Sequence, residues 1–203
     1  MTGTGSLRPP GWTYNPSSWS DRLWLIGVAV IGFLISGYLG LYQWGIIDSV
    51  WEPFFGRGSE IVLHSPLSRV LPVPDAVLGA LAYAIDAVAG AIGGTTRWKT
   101  MPWMVILFGI AVGPLGLVSV LLVTAQPLLL HAWCTLCLLA AVISVVMIGP
   151  AMDEVLASLQ VLKRAKEHDR PLWTVFWKGE NQAGGMEQMS ITKRGPRPCG
   201  LRP

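Results

Sequence analysis

Two cysteines three residues apart, Cys134 and Cys137 in Trp133-Cys134-Thr135-Leu136-Cys137, carry the most specific chemistry in the chain. On a helix, residues at this spacing share one face, so their sulfurs can close a small disulfide ring. A neighbouring thiol also acidifies its partner, which is why Cys-x-x-Cys pairs are often redox-active. The competing reading is two small hydrophobes buried in a packed bundle. His131 extends the pattern to His-x-x-Cys-x-x-Cys, a set that suits zinc or copper(I) if a fourth ligand comes from elsewhere. His64 and His168 are the other histidines, and no second Cys or His cluster accompanies them, so no tightly bound metal is expected. Leu138 after Cys137 excludes c-type haem attachment.

The elements that must hold this pair are apolar. Of 203 residues, 52% are hydrophobic and only 13% charged, about half the usual charged share. Ten Trp and 23 Gly point the same way, since both are enriched in membrane proteins. The composition excludes an ordinary soluble domain. Three cysteines are too few for a disulfide-dense scaffold, and no basic, aromatic-rich domain suggests a nucleic-acid partner.

Charge-free runs locate the spans. Residues 23–47 form one of 25 residues, about 37 Å as a helix. Residues 100–152 contain no Asp, Glu, Lys or Arg over 53 positions, which fits two spans with a break near Thr124-Ala125-Gln126-Pro127. Residues 76–92 are interrupted only by Asp86. Four transmembrane helices are therefore expected, at about 23–47, 76–93, 102–124 and 128–149. The fold class is an all-α integral membrane four-helix bundle, with a long outer loop between its first two helices.

Thirteen of the 15 basic residues precede the first span, join the second to the third, or follow the fourth. The positive-inside rule then places both termini in the cytoplasm and the loop 48–75 outside, in a cell (inner) membrane. The first helix is expected to be an uncleaved signal anchor. Residues 1–20 read as a cytoplasmic segment and 21–150 as the transmembrane domain. In 151–203, Met152, Val155, Leu156, Leu159 and Leu162 recur at helical spacing, predicting a cytoplasmic amphipathic helix followed by a flexible tail.

These features together resemble the vitamin K epoxide reductase family: four helices, a long outer loop, and Trp-Cys-x-x-Cys in the fourth helix. Ile61-Val62-Leu63-His64-Ser65 and Val73-Pro74-Asp75-Ala76-Val77-Leu78-Gly79 are similar to that family's Val-Leu-x-Ser and Val-Pro-x-x-x-Leu-Gly segments. The resemblance covers about residues 20–150. It implies two-electron exchange between a membrane quinone (ubiquinone or menaquinone) and protein thiols, with a thioredoxin-like protein as partner. Carried over, Cys137 faces the quinone, Cys134 exchanges with an incoming thiol, and Ser65 borders the quinone pocket, though its hydroxyl could equally cap a local turn. Trp133, Phe54 and Phe55 are further candidates for contact with the quinone.

One departure matters. The outer loop has no cysteine, and Ser59 stands at the position of the family's shuttle cysteine. Serine cannot exchange with a disulfide. Three functions stay open: an oxidoreductase served directly by an extracytoplasmic thiol protein, a catalytically silent module that binds a quinone or a membrane partner, and metal handling through His131, Cys134 and Cys137. Asp86, near the middle of the second helix, is a candidate proton relay to a quinone, or a buried carboxyl bonded within the bundle. Cys199 falls in the cytoplasmic tail and cannot replace the missing shuttle.

Overall fold

The computed structural model describes residues 8–9, 11–69 and 72–180, and among these it contains helices and no strand. Cys199 and the expected tail lie outside the described residues. Ser18 opens α1 (Trp19–Gln43), its Oγ accepting from the Asp21 N–H at 3.3 Å, as N-cap serines do. The connection that follows contains α2 (Gly58–Leu63) and a 3₁₀ turn, Pro66–Arg69. Then come α3 (Asp75–Ala91), α4 (Arg97–Thr100), α5 (Pro102–Ala125), a π turn Gln126–Leu130, α6 (Thr135–Glu167) and a last helix, α7, over 172–180.

Three helices are long and apolar enough to cross a membrane: α1, α5 with its π turn (29 residues together), and α6. At 17 residues α3 is shorter, and it packs along α1. α5 lies along α6, and α1 crosses α6 to join the two pairs. Leu25, Val28, Ala29, Tyr83, Phe108, Val112, Ile143 and Met147 fill the space between them. Gly32 makes the α1–α3 approach: a Cβ there would stand 2.7 Å from the Tyr83 ring. The outward faces are equally apolar, with Leu34, Ile110, Leu117, Leu121 and Val142 exposed, as on helices surrounded by lipid.

Several boundaries differ from the sequence expectation. α1 begins four residues before position 23, because Ser18 and Asp21 cap it and the buried Arg22 is satisfied. Arg22 donates to the Gly90, Ile92 and Gly93 carbonyls at 2.6–3.0 Å. Arg97, also buried, donates to Ala89 and Ile92 at 2.7 and 3.2 Å. These two charges are therefore not solvated loop residues. They cap the otherwise open C-terminal carbonyls of α3.

The break foreseen at 124–127 does not occur. α5 runs on through Pro127 as a π turn, whose wider winding relieves the clash of a proline ring with the preceding turn. The chain turns at His131, with φ +49°, and α6 starts at Thr135. The expected helix 128–149 is thus replaced by one of 33 residues that passes through Pro150.

The helix expected after residue 150 is not separate from α6, and the boundary drawn at 150 falls inside α6. The buried stripe there is Ala151, Glu154, Val155, Ala157, Ser158, Val161 and Ala165. Of the apolar residues recurring at helical spacing here, Val155 is buried while Met152, Leu156 and Leu159 face outward. Trp98, Val175 and the Arg97–Glu154 pair explain this choice, since they pack on α6 beyond the proline.

Candidate redox site

Cys134 is not inside a helix, as the sequence suggested, but is the N-cap of α6, with extended backbone (φ −116°, ψ 113°). Its Sγ accepts from the Cys137 N–H at 3.1 Å, and the two residues are joined by a disulfide with Cα atoms 5.2 Å apart. The helix has shed its first seven residues, about two turns, relative to the expectation. The π turn and the left-handed His131 use up residues 126–131, and the sulfur then takes the cap position that a Ser or Asp usually fills. Gln126, itself buried, accepts from the Cys134 N–H at 3.3 Å.

The two sulfurs face different surroundings. Cys137 borders a cavity of about 110 Å³ between α1, α3, α5 and α6, whose walls include Leu39, Val62, Ser65, Tyr83, Leu122 and Gln126. That volume is of the order of the ~150 Å³ that accepts a benzene ring. Cys134 is fully buried, with 0% exposure, under the α1–α3 connection. Ser65 lines this cavity, and its hydroxyl closes a local turn by donating to Val62 O at 2.7 Å.

Asp86 is buried beside a second, smaller cavity of about 40 Å³, which shares Gly79, Tyr83 and Ser119 with the first. Its Oδ1 has no hydrogen-bond partner, so the expected bond to a Ser, Thr or carbonyl is not made by that atom. Polar groups cross the shared wall: the Tyr83 hydroxyl donates to Ala140 O at 2.6 Å and lies 2.7 Å from Ser144 Oγ, and Ser119 Oγ lies 3.3 Å from Ser144 Oγ. Tyr83 stands one helical turn before Asp86, and that spacing was the available sequence signal for this shared wall.

Phe54, Phe55 and Trp133 do not line the cavity. Phe55 stacks on Trp133 with ring centroids 6.2 Å apart, and Phe54 is 77% exposed. His131 is exposed and engages Pro127 O through Nδ1 at 3.0 Å, and no group of three His, Cys, Asp or Glu able to hold a metal occurs among the described residues.

The residue that sequence reading missed is Glu52. Its carboxylate accepts from the Thr135 N–H at 3.0 Å and from the hydroxyls of Thr135 and Ser59. Partial burial alone would raise the Glu52 carboxyl, but these bonds from Ser59 and Thr135, with one from the Phe54 N–H, outweigh it and hold the carboxyl below the usual carboxylate range. Ser59, fully buried, is therefore a hydrogen-bond donor within the loop.

The family model described as "Vitamin K epoxide reductase family" matches residues 23–151, from α1 through the disulfide into α6. The chain belongs to this family. Vitamin K epoxide reductase family proteins are membrane oxidoreductases that link thiol–disulfide chemistry to quinones, and the apolar helices here agree with a membrane setting. No curated protein and no solved structure significantly matches the chain.

Proposed function

We propose that the protein is a membrane thiol–disulfide oxidoreductase in which the Cys134–Cys137 couple exchanges two electrons and two protons with a membrane quinone. The observation that carries this is the position of Cys137 on the wall of a ring-sized apolar cavity while bonded to Cys134. A quinone supplies a two-electron, two-proton couple soluble in lipid. The cavity residues suit a flat ring with polar edges: Leu39, Val62 and Leu122 give apolar faces, and Ser65 and Gln126 give polar groups. Asp86, beyond Tyr83 in the adjoining cavity, is the candidate to take up or release the protons that accompany the electrons.

In this reading α3 also crosses the membrane, both termini are cytoplasmic, and the Cys pair lies toward the extracytoplasmic side. An extracytoplasmic thiol protein, thioredoxin-like in kind, would exchange with Cys134 directly, since Ser59 offers no sulfur. Exchange converts two thiols of one protein to a disulfide as the other disulfide opens to two thiols, so electrons balance without a further reductant.

Thiol counting on purified protein tests the proposal. Reduced Cys134 and Cys137 should be lost stoichiometrically on addition of a soluble quinone. Thiols unchanged after excess oxidised quinone refute turnover. The complete burial of Cys134 favours a second reading, a binding module without turnover. Such a module keeps its cellular role when both cysteines are replaced by serine, whereas an oxidoreductase loses it.

A further inference from the structure

The first turn of α6 has two acceptors. The Thr135 N–H, at its start, points to the Glu52 carboxylate at 3.0 Å, and the Cys137 N–H, two residues on, points to Cys134 Sγ at 3.1 Å. A helix N-terminus carries roughly half a positive charge, which normally stabilises a cysteine thiolate placed there and makes its disulfide easy to reduce. Here a fixed carboxylate already occupies that end. It sits on a neighbouring amide of the same turn, where it offsets the field that a Cys134 thiolate would otherwise gain. Ser59, whose type rules out thiol exchange, donates to this carboxylate and helps keep it ionised and in place.

We propose that Glu52 is a positioning residue that sets the redox poise of the Cys134–Cys137 couple, holding it strongly reducing by filling the α6 N-terminus with negative charge. Ser59 is the donor that anchors it. The site where a shuttle thiol would stand has thereby become part of the electrostatic setting of the pair. This inference rests on the redox reading above and deepens it: a couple biased toward the disulfide favours delivery of electrons to an acceptor over receipt of them. Of the other charged groups at this end, Asp48 is exposed and three more have partners of their own. Arg57 Nε pairs with Glu60 at 2.9 Å on α2, Gln43 Nε2 donates to Asp75 at 2.8 Å, and His131 is bonded to Pro127 O.

The test is the reduction potential of the pair in the full-length detergent-solubilised protein, equilibrated with dithiothreitol redox buffers and read by thiol alkylation, with no quinone present. Glu52→Gln keeps the shape and an acceptor for Thr135 but removes the charge. It should shift the equilibrium about tenfold toward the dithiol, equivalent to about 30 mV less negative. Glu52→Asp keeps the charge and should stay near the wild-type value. Equal potentials in wild type and Glu52→Gln overturn the inference, as does an Asp variant shifted as far as the Gln variant, which would make the effect one of geometry.

Wild-type protein gives an independent check should a variant fail to fold. Its reduced pair should ionise no lower than free cysteine at about 8.5, and ionisation within the ~3.5–7.5 usual for helix N-terminal thiols overturns the proposal. If no dithiol buffer opens the disulfide, both this inference and the reading beneath it fall. If Glu52→Gln shifts the potential but quinone oxidises no thiol, only that reading falls.

Discussion

Arg97 holds Glu154 through two bonds from one nitrogen, Nε to Oε1 at 3.0 Å and to Oε2 at 2.9 Å, and Nη2 closes a further contact while both side chains stay 3% exposed. The same guanidinium reaches the α3 carbonyls, so one side chain fastens α3, α4 and α6 together at the end remote from the disulfide. A buried pair of this kind adds little over a well-packed apolar one, but breaking it leaves a stranded charge. Glu154→Gln should therefore lower unfolding free energy by about 3–5 kcal/mol. Arg97→Met with Glu154→Leu should cost less than the two single changes added, measured by thermal unfolding in detergent as a double-mutant cycle. Additive losses would mean the two residues act independently.

Gly58 packs directly on the Trp133 carbonyl, where a Cβ would overlap backbone that cannot yield. Gly58→Ala should lift α2 from the Cys pair and speed alkylation of reduced Cys134 by about tenfold at fixed pH, since thiol reactivity follows access. Gly37, with open space around its Cβ position, is the control. Gly37→Ala should leave alkylation unchanged and raise helix stability by up to about 1 kcal/mol. Equal alkylation in wild type and Gly58→Ala would show that the loop does not guard Cys134.

What was legible in the sequence follows from where the physics is local. Charge-free runs located the three long apolar helices because lipid-facing and bundle-facing sides of a membrane helix are both apolar, so composition alone marks them. The joining of Cys134 to Cys137 was legible because it needs only two residue types at one spacing. Helix ends were not legible. Pro127 and Pro150 look like stops, yet a π turn absorbs the first, and contacts from Arg97, Trp98 and Val175 carry α6 past the second. Glu52 was invisible because its partner Thr135 lies 83 positions away. A lone acid in a polar loop has no pattern that reveals such a bond.

The two cysteines should differ in accessibility to an apolar reagent. In a Cys134→Ser chain the remaining Cys137 thiol faces the cavity, and in a Cys137→Ser chain the Cys134 thiol is enclosed. Labelling of reduced protein in detergent with a small membrane-soluble maleimide should be at least about tenfold faster for Cys137. Faster labelling of Cys134 would reverse the roles assigned to the pair.

Stability should fall in acid through Glu52. Its folded carboxyl titrates below the unfolded value of 4.5, so the stabilisation is fully present above pH 4.5 and is lost as pH drops through the lower folded value. Wild type and Glu52→Gln should therefore differ in melting temperature at neutral pH and converge in that acid window. A difference that persists unchanged at pH values below both would assign the effect to packing.

Asp86 presents the opposite case, a buried carboxyl with one oxygen unpartnered in a chain otherwise careful to satisfy its buried charges. Burial of a polar atom without a partner costs about 1–3 kcal/mol on protein scales, so replacement by an apolar residue of similar size should relieve it. Asp86→Leu is expected to raise thermal stability. If Asp86 carries protons for the quinone reaction, the same variant should slow quinone-dependent loss of thiols while leaving dithiothreitol reduction of Cys134–Cys137 unchanged. That combination, more stable and less active, separates a functional carboxyl from a structural one, because a structural residue loses stability when it is removed. Asp86→Leu protein that is less stable and fully active would end the case for a relay.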